Sequence, residues 1–151
     1  MGLFDDPFVD EKQAVQLVAS SEHTGLAREV ARQSIVLLKN KDKLLPLKKD
    51  IRTLAVIGPN ANNVYNMLGD YTAPQADGTV VTVLDGIRQK VSKETRVLYA
   101  KGCAVRDSSR TGFKDAIETA RNADAVVMVM EDRVPGIFPR NMKKPVRQKS
   151  L

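Results

Sequence analysis

The sequence predicts an α/β fold with a partial doubly wound, mostly parallel sheet, in the order strand, helix, strand, helix, strand. The first observation is residues 54–57, an apolar run without polar alternation that stops at a Gly-Pro-Asn turn signal. A strand covered by helices on both faces has this pattern, whereas an antiparallel strand with one wet face would alternate. The second observation is that helical and strand-like segments alternate after this run.

Length and composition set limits on the domain organisation. With 151 residues and 42% hydrophobic content, the chain has enough apolar surface for one sizeable core. No segment approaches the roughly 20 apolar residues of a membrane span, and the N-terminus lacks the pattern of a signal peptide. We therefore expect no membrane partner, and the compartment stays open. The single cysteine, Cys103, excludes an intrachain disulfide and is expected to pack at a strand end.

The net charge of +6 is concentrated in the last part of the chain. Residues 1–130 contain 18 Lys and Arg against 16 Asp and Glu, whereas residues 131–151 contain six against two. The nearly neutral body has no clustered basic face with interleaved aromatic residues, which is the usual footprint of nucleic-acid binding. We therefore expect no nucleic-acid partner.

Residues 1–50 are predicted to form a linker and a first helix. Apolar side chains recur at helical spacing over residues 21–38, with Thr24 as the candidate N-cap and cations following the end of the helix. The only histidine, His23, stands just before this helix. Because no cysteine or second histidine lies at ligand spacing, we expect no metal site, and the sequence indicates no cofactor.

Residues 51–130 supply the predicted sheet and its crossover helices. Residues 82–91 have helical spacing with Thr82 as the candidate cap, and residues 113–122 form a second helical pattern. Residues 96–103 and 123–130 are predicted to be the second and third strands, the third of them buried.

The candidate binding loop follows the first strand, over residues 60–75. It holds Asn60, Asp70 and Tyr71 at the carboxyl end of a parallel strand, where ligands bind in open α/β sheets. A surface loop that satisfies its own backbone is an equally good interpretation. A phosphate loop is not indicated, because the glycine-rich motifs are absent and Pro59 lacks an N–H.

Several short motifs, in a fixed order, resemble the glycoside hydrolase family 3 proteins, the β-glucosidases and β-xylosidases. In the first part of the chain these are residues 2–7 (GLFDDP), His23, residues 27–40 (AREVARQSIVLLKN) and residues 45–47 (LPL). In the second part they are residues 55–61 (AVIGPNA), 69–71 (GDY), 99–103 (YAKGC) and 123–127 (ADAVV). The likeness covers residues 1–130 and has the character of the β-xylosidase-like branch.

The resemblance implies a retaining mechanism, in which one carboxylate attacks the anomeric carbon and another acts as acid and then base. In the family the nucleophile is an aspartate of an N-terminal (β/α)₈ barrel, and the acid/base is a glutamate on a later loop of the α/β sandwich domain. We expect both to be absent here, so the resemblance implies no catalytic residue in this chain. It also implies a β-glycoside or oligosaccharide substrate for the whole enzyme and a missing barrel domain as partner.

Residues 131–151 depart from the family pattern and are expected to be a disordered, basic tail. Where the family branch has Gly-Gly-Ser-Ser-Ala-Arg-Asp-Phe, this chain has EDRVPGIF at residues 131–138. Both peptides can be encoded by one DNA sequence read in two frames that differ by a single G after the codon for Met130. We therefore interpret the tail as a frame-shifted readout, with a genuine basic linker as the alternative.

The sequence thus predicts a fragment of an exo-acting retaining glycosidase that cleaves β-linked glucosides or xylosides and is inactive by itself. A half-sheet would leave a strand edge unpaired, so self-association is expected. The alternative is a non-enzymatic α/β binding module for nucleotides or polyanions, which would need a phosphate-cradling turn or a basic face.

The frame-shift interpretation makes a prediction about the encoding DNA. Inserting a single base close to the Met130 codon should restore the family motif and an open reading frame beyond it. Sequencing the locus with its flanks checks this, and the interpretation is wrong if no single-base change restores the motif.

Overall fold

The structure is a computed structural model that describes residues 2, 4, 5, 8, 10–68, 71–73, 75, 76, 78–105 and 108–130. The chain divides into two compact units, residues 1–46 and residues 47–151. The predicted tail at residues 131–151 lies outside the described residues, as does Asp70. None of the described helices is long and apolar enough to cross a membrane.

The first unit contains two α-helices, α1 (Glu11–Leu17) and α2 (Ser21–Ser34), and a 3₁₀ turn at Lys41–Lys43. Helix α1 was not predicted from the sequence, and it has no buried residue that would give an apolar face. Its N-cap Asp10 accepts the backbone N–H of Lys12 at 2.9 Å, which satisfies one of the unpaired donors of the first turn.

The predicted start of α2 at residue 21 is confirmed, whereas its predicted cap and its predicted end are wrong. Its N-cap is Ser20, whose hydroxyl accepts the backbone N–H of His23 at 3.3 Å, so Thr24 is not the cap and His23 lies within the first turn. The helix ends at Ser34 and not at residue 38, because Ile35 is extended. The Ser34 hydroxyl donates to the carbonyl of Ala31 at 2.9 Å, and β-branched residues follow, which disfavours continuation.

The second unit is built on a three-stranded parallel sheet. Strand β1 (Thr53–Ile57) lies in the centre, between β2 (Arg96–Ala100) and β3 (Ala125–Met128). In register, Ala55 lies beside Leu98 on one side and Val126 on the other. The prediction of a parallel sheet around residues 54–57 is confirmed.

Helices cover the central strand on both faces, as predicted. On one face, Ala55 and Ile57 pack against Ala116 and Ala120 of α5 (Phe113–Arg121). On the other face, Val56 packs with Leu84 of α4 (Val83–Lys90), and Ile87 lies against this cluster. Residues 54–57 are therefore at most 6% exposed, which is why the run carries no polar side chain.

The outer strands differ from the prediction in the end of β2 and in the burial of β3. Strand β2 ends at Ala100, because the chain turns at Gly102 with φ +71°. Strand β3 was expected to be fully buried, yet Val126 is 41% and Met128 is 64% exposed. The continuous apolar run suggested burial on both faces, but a strand at the edge of the sheet is covered only in part.

Two glycines allow the backbones of the second unit to approach closely. A Cβ atom on Gly58 would lie 2.0 Å from the carbonyl oxygen of Val129, and Gly58 has φ +140°. A Cβ on Gly112 would lie 2.4 Å from the carbonyl oxygen of Gly102. The first contact brings the end of β1 against the residue that follows β3, and the second brings the start of α5 against the turn after β2.

We predict that Gly58→Ala destabilises the protein by about 3 kcal/mol, because the new Cβ would overlap a backbone oxygen and the residue would need a positive φ. The matched control is Gly86→Ala in α4, where a Cβ would lie at an ordinary 3.9 Å from Val81 Cγ1. That change should be neutral or stabilising, by up to about 1 kcal/mol. Urea unfolding of both variants measures the difference, and equal midpoints would contradict the role of Gly58.

Candidate substrate-side loop

The loop that leaves β1, residues 58–68, lies at the carboxyl edge of the sheet. We call it the β1 loop; it contains the short helix α3 (Val64–Met67). Ligands of open α/β sheets bind outside the carboxyl ends of the strands, so this is the part of the fold to examine for a site. Gly58 and Pro59 are buried, and the polar residues begin at Asn60.

Three asparagines hold the β1 loop in shape. The side-chain amide of Asn66 donates to Oδ1 of Asn60 at 2.7 Å, and Oδ1 of Asn63 accepts the backbone N–H of Asn66 at 3.1 Å. Asn63 thereby caps α3, and the orientation of Asn60 is set by a neighbour in the same loop. The interpretation of a loop that satisfies its own polar groups is thus realised in part, while Asn60 stays half-buried and accessible.

The buried hydroxyl of Thr82 connects the β1 loop to α4. Thr82 is 4% exposed, and its Oγ1 lies 3.1 Å from Oδ1 of Asn62 and 2.8 Å from Oδ2 of Asp85. It also accepts the backbone N–H of Asp85 at 3.2 Å, which confirms the predicted cap. The N–H of Leu84 donates to the carbonyl of Ala61 at 2.9 Å, so the first turn of α4 is bonded to the loop twice.

The residues predicted for the site do not form one group in the described structure. Asn60 lies in the bonded part of the β1 loop, whereas Tyr71 lies beyond it with its side chain fully exposed at 105%. Asp70 is outside the described residues. The sequence predicted Thr82 as a helix cap but not its contact with Asn62. It placed Asn66 in the polar stretch after β1 but did not predict its bond to Asn60.

The backbone of the Gly58-Pro59 turn is not arranged to hold a phosphate. The N–H of Gly58 donates to the carbonyl of Ala100 at 3.1 Å, and the N–H of Ala61 donates to the carbonyl of Gly58 at 3.3 Å. Pro59 has no N–H to offer. These donors are used within the protein, and a phosphate cradle needs such groups pointing outward.

Two carboxylates of the second unit have structural partners. Asp85 accepts from the Thr82 hydroxyl and lies 3.8 Å from the Arg88 guanidinium. Asp124 accepts the backbone N–H of Thr53 at 2.8 Å, which fixes the start of β1. Within the described residues, no three His, Cys, Asp or Glu side chains are grouped so that they could bind a metal ion.

Comparison with known proteins gives the family of this structure. The model of the glycosyl hydrolase family 3 C-terminal domain matches residues 35–137, more than half of the chain. The chain belongs to glycosyl hydrolase family 3. The resemblance found from the sequence motifs is confirmed, and so is the α/β fold class.

Curated relatives from this family are enzymes much longer than this chain. A β-xylosidase from Formosa agariphila is 41% identical over 86% of this chain and 19% of its own length. The probable β-D-xylosidase 6 of Arabidopsis thaliana is 44% identical over 85% of this chain and 16% of its own. A periplasmic β-glucosidase from Salmonella typhimurium is 36% identical over 86% of this chain and 20% of its own length. The chain thus spans about a fifth of the length of these family 3 relatives.

Solved structures of family 3 enzymes share the fold. An exo-β-xylosidase in complex with a xylobiose aziridine probe matches with a TM-score of 0.60 and 38% identity, over 71% of this chain and 13% of that chain. A β-glucosidase from Listeria innocua in complex with isofagomine matches with a TM-score of 0.68 and 29% identity, over 84% of this chain and 17% of that chain. This chain therefore corresponds to the C-terminal domain region of much larger enzymes.

We predict that Thr82→Val lowers the free energy of unfolding by about 1 to 2 kcal/mol, because it removes the cap of α4 and leaves Asn62 without this partner. Thr82→Ser is the matched control, since it keeps the hydroxyl and should cost less than half as much. Urea unfolding measures the cost. Amide exchange should also become faster in both α4 and the β1 loop in the valine variant, and faster exchange in α4 alone would contradict the coupling.

Proposed function

We propose that this chain is the inner scaffold of the C-terminal lobe of an exo-acting, retaining enzyme that cleaves β-linked glucosides or xylosides. The match of family, fold and motifs to enzymes named β-xylosidase and β-glucosidase carries this proposal. In such an enzyme, the parallel sheet presents the β1 loop toward the sugar, and a separate barrel domain supplies the nucleophile. By itself, the chain does not hydrolyse glycosides.

The bonding of two carboxylates of the second unit is consistent with the proposal of inactivity. A retaining glycosidase needs two carboxyl groups about 5 Å apart across the glycosidic bond, one of them free to attack and the other able to carry a proton. Asp85 and Asp124 accept hydrogen bonds that fix a helix start and a strand start. Both carboxylates therefore have structural roles, which supports the proposal that the catalytic pair lies elsewhere in the whole enzyme.

The role proposed for Asn60, Asp70 and Tyr71 is to form the side of the sugar site that this lobe contributes. A fully exposed tyrosine ring offers an apolar surface on which the C–H face of a pyranose can rest, with a hydroxyl at its edge. The amide of Asn60 carries both donor and acceptor atoms, which suits sugar hydroxyls. Its orientation by Asn66 reduces the entropy that binding would cost.

The purified chain, freed of host enzymes, is expected to release no nitrophenol from aryl β-glucosides or aryl β-xylosides above the buffer rate. The physical reason is the missing pair of carboxylates, without which neither attack at the anomeric carbon nor protonation of the leaving oxygen takes place. A preparation from the same host lacking the chain is the control for contaminating glycosidase. Release that increases with the concentration of pure chain would refute the proposal of inactivity.

A thermal-shift comparison in the same preparation separates the glycosidase lobe from a nucleotide-binding module. Xylose and glucose should raise the unfolding temperature slightly at high concentration, whereas nucleotides should not, because the amides of Gly58 and Ala61 in the turn after β1 are bonded within the protein and Pro59 has none. Stabilisation by a nucleotide and not by either sugar would favour the binding module instead.

A further inference from the structure

The two outer strands of the sheet differ in how their open edges are protected. Strand β2 starts at Arg96 and is followed by Lys101, whereas residues 125–130, which contain β3, include no charged residue, glycine or proline. Natural sheets block unwanted edge pairing with charges, prolines and bulges. Within residues 125–130 the free edge of β3 has none of these devices, and the flanking Asp124 is directed toward β1, where it accepts the backbone N–H of Thr53. Such uncharged β-branched and Met-rich strands pair readily.

The backbone of β3 has groups available for pairing on that edge. The N–H of Val129 donates to the carbonyl of Ile57 at 2.7 Å, so at this position the backbone faces β1. Because successive backbone groups of a strand point to opposite sides, Val127 also faces β1, while Val126 and Met128 direct their N–H and C=O groups to the open edge.

The side chains of Val126 and Met128 form an exposed apolar strip on one face of the sheet. The register places Val126 beside Ala55 and Met128 beside Ile57, so both lie on the sheet face that α5 covers. Ala55 and Ile57 are buried there, whereas Val126 is 41% and Met128 is 64% exposed. Helix α5 thus covers the central strand and leaves β3 open on this face.

We propose that β3 is a docking surface for a second copy of this chain, paired antiparallel through the edge that carries Val126 and Met128. Two identical strands pair in this way about a two-fold axis perpendicular to the sheet, which joins the two three-stranded sheets into one continuous sheet. This axis keeps the α5 faces of both copies on the same side. The apolar strips of the two copies then lie next to each other and bury each other's side chains.

Charge favours this closed pair over a chain of copies. Pairing β3 of one copy with β2 of the next would place the apolar strip beside Arg96 and Lys101 and would leave new edges, giving an open polymer. In the β3–β3 pair the two exposed edges that remain are both β2, and the cations at their ends oppose further pairing. The inference concerns the isolated chain and does not depend on its proposed enzymatic origin.

The test is the molar mass of the whole chain by light scattering over a range of concentrations. The chain should have about twice its monomer mass of 16.6 kDa at high concentration and approach 16.6 kDa on dilution. Met128→Lys, at an exposed position on the open edge, should remain at the monomer mass throughout. Tyr99→Lys is the matched control on the other edge strand, where the side chain is 37% exposed, and should dimerise as the wild type does.

Amide hydrogen exchange of the wild type gives a second measurement that needs no variant to fold. The amides of Val126 and Met128 should gain protection as concentration rises, while those of β2 should not. A wild type at monomer mass at every concentration, a Met128→Lys dimer, a monomeric Tyr99→Lys, a mass that grows without limit, or protection that appears on β2 would each overturn the proposal.

Discussion

The burial of β1 is the constraint on which the rest of the second unit depends. Its backbone pairs with a parallel strand on each side, and its side chains are covered by α4 on one face and α5 on the other. A strand in this position has no direction in which a polar side chain could reach water, since residues 54–57 are at most 6% exposed. The order of the crossover helices, the use of alanine on α5 and the parallel sheet all follow from covering this one strand.

Close backbone contacts at the carboxyl edge then determine how the candidate loop starts. Gly58 ends β1 against the carbonyl of Val129, at a distance that leaves no space for a side chain. The loop that follows is held by its own asparagines and by Thr82, so it is a bonded structure and not an unstructured connection. A preorganised loop of this kind suits a surface that contacts a ligand, because little conformational freedom is lost on binding.

The described part of the chain combines a covered core with an exposed apolar strand. The strip of exposed apolar residues on β3 lies at the edge of the three strands that the structure describes. An isolated half-sheet keeps its core because the two helices cover the central strand, while its outer strand remains open to pairing. The second unit can therefore keep a buried core around β1 while β3 at its edge stays exposed.

The sequence by itself determined the parallel sheet, the crossover helices and the Thr82 cap, because these depend on local periodicity and on residues a few positions apart. It also identified the family, through motifs whose order is preserved. It did not find α1, which has no buried face, or the early end of α2, where β-branched residues continue the apolar pattern. The exposure of β3 was also missed, because it depends on what lies beside the strand in space. Only the tertiary structure decided that Thr82 bonds to Asn62, that Asn66 orients Asn60 and that Gly58 meets Val129. The Thr82 and Gly58 contacts join segments far apart in the chain that the fold brings together, and the Asn66–Asn60 bond depends on the conformation of the loop; none of the three gives a periodic signal.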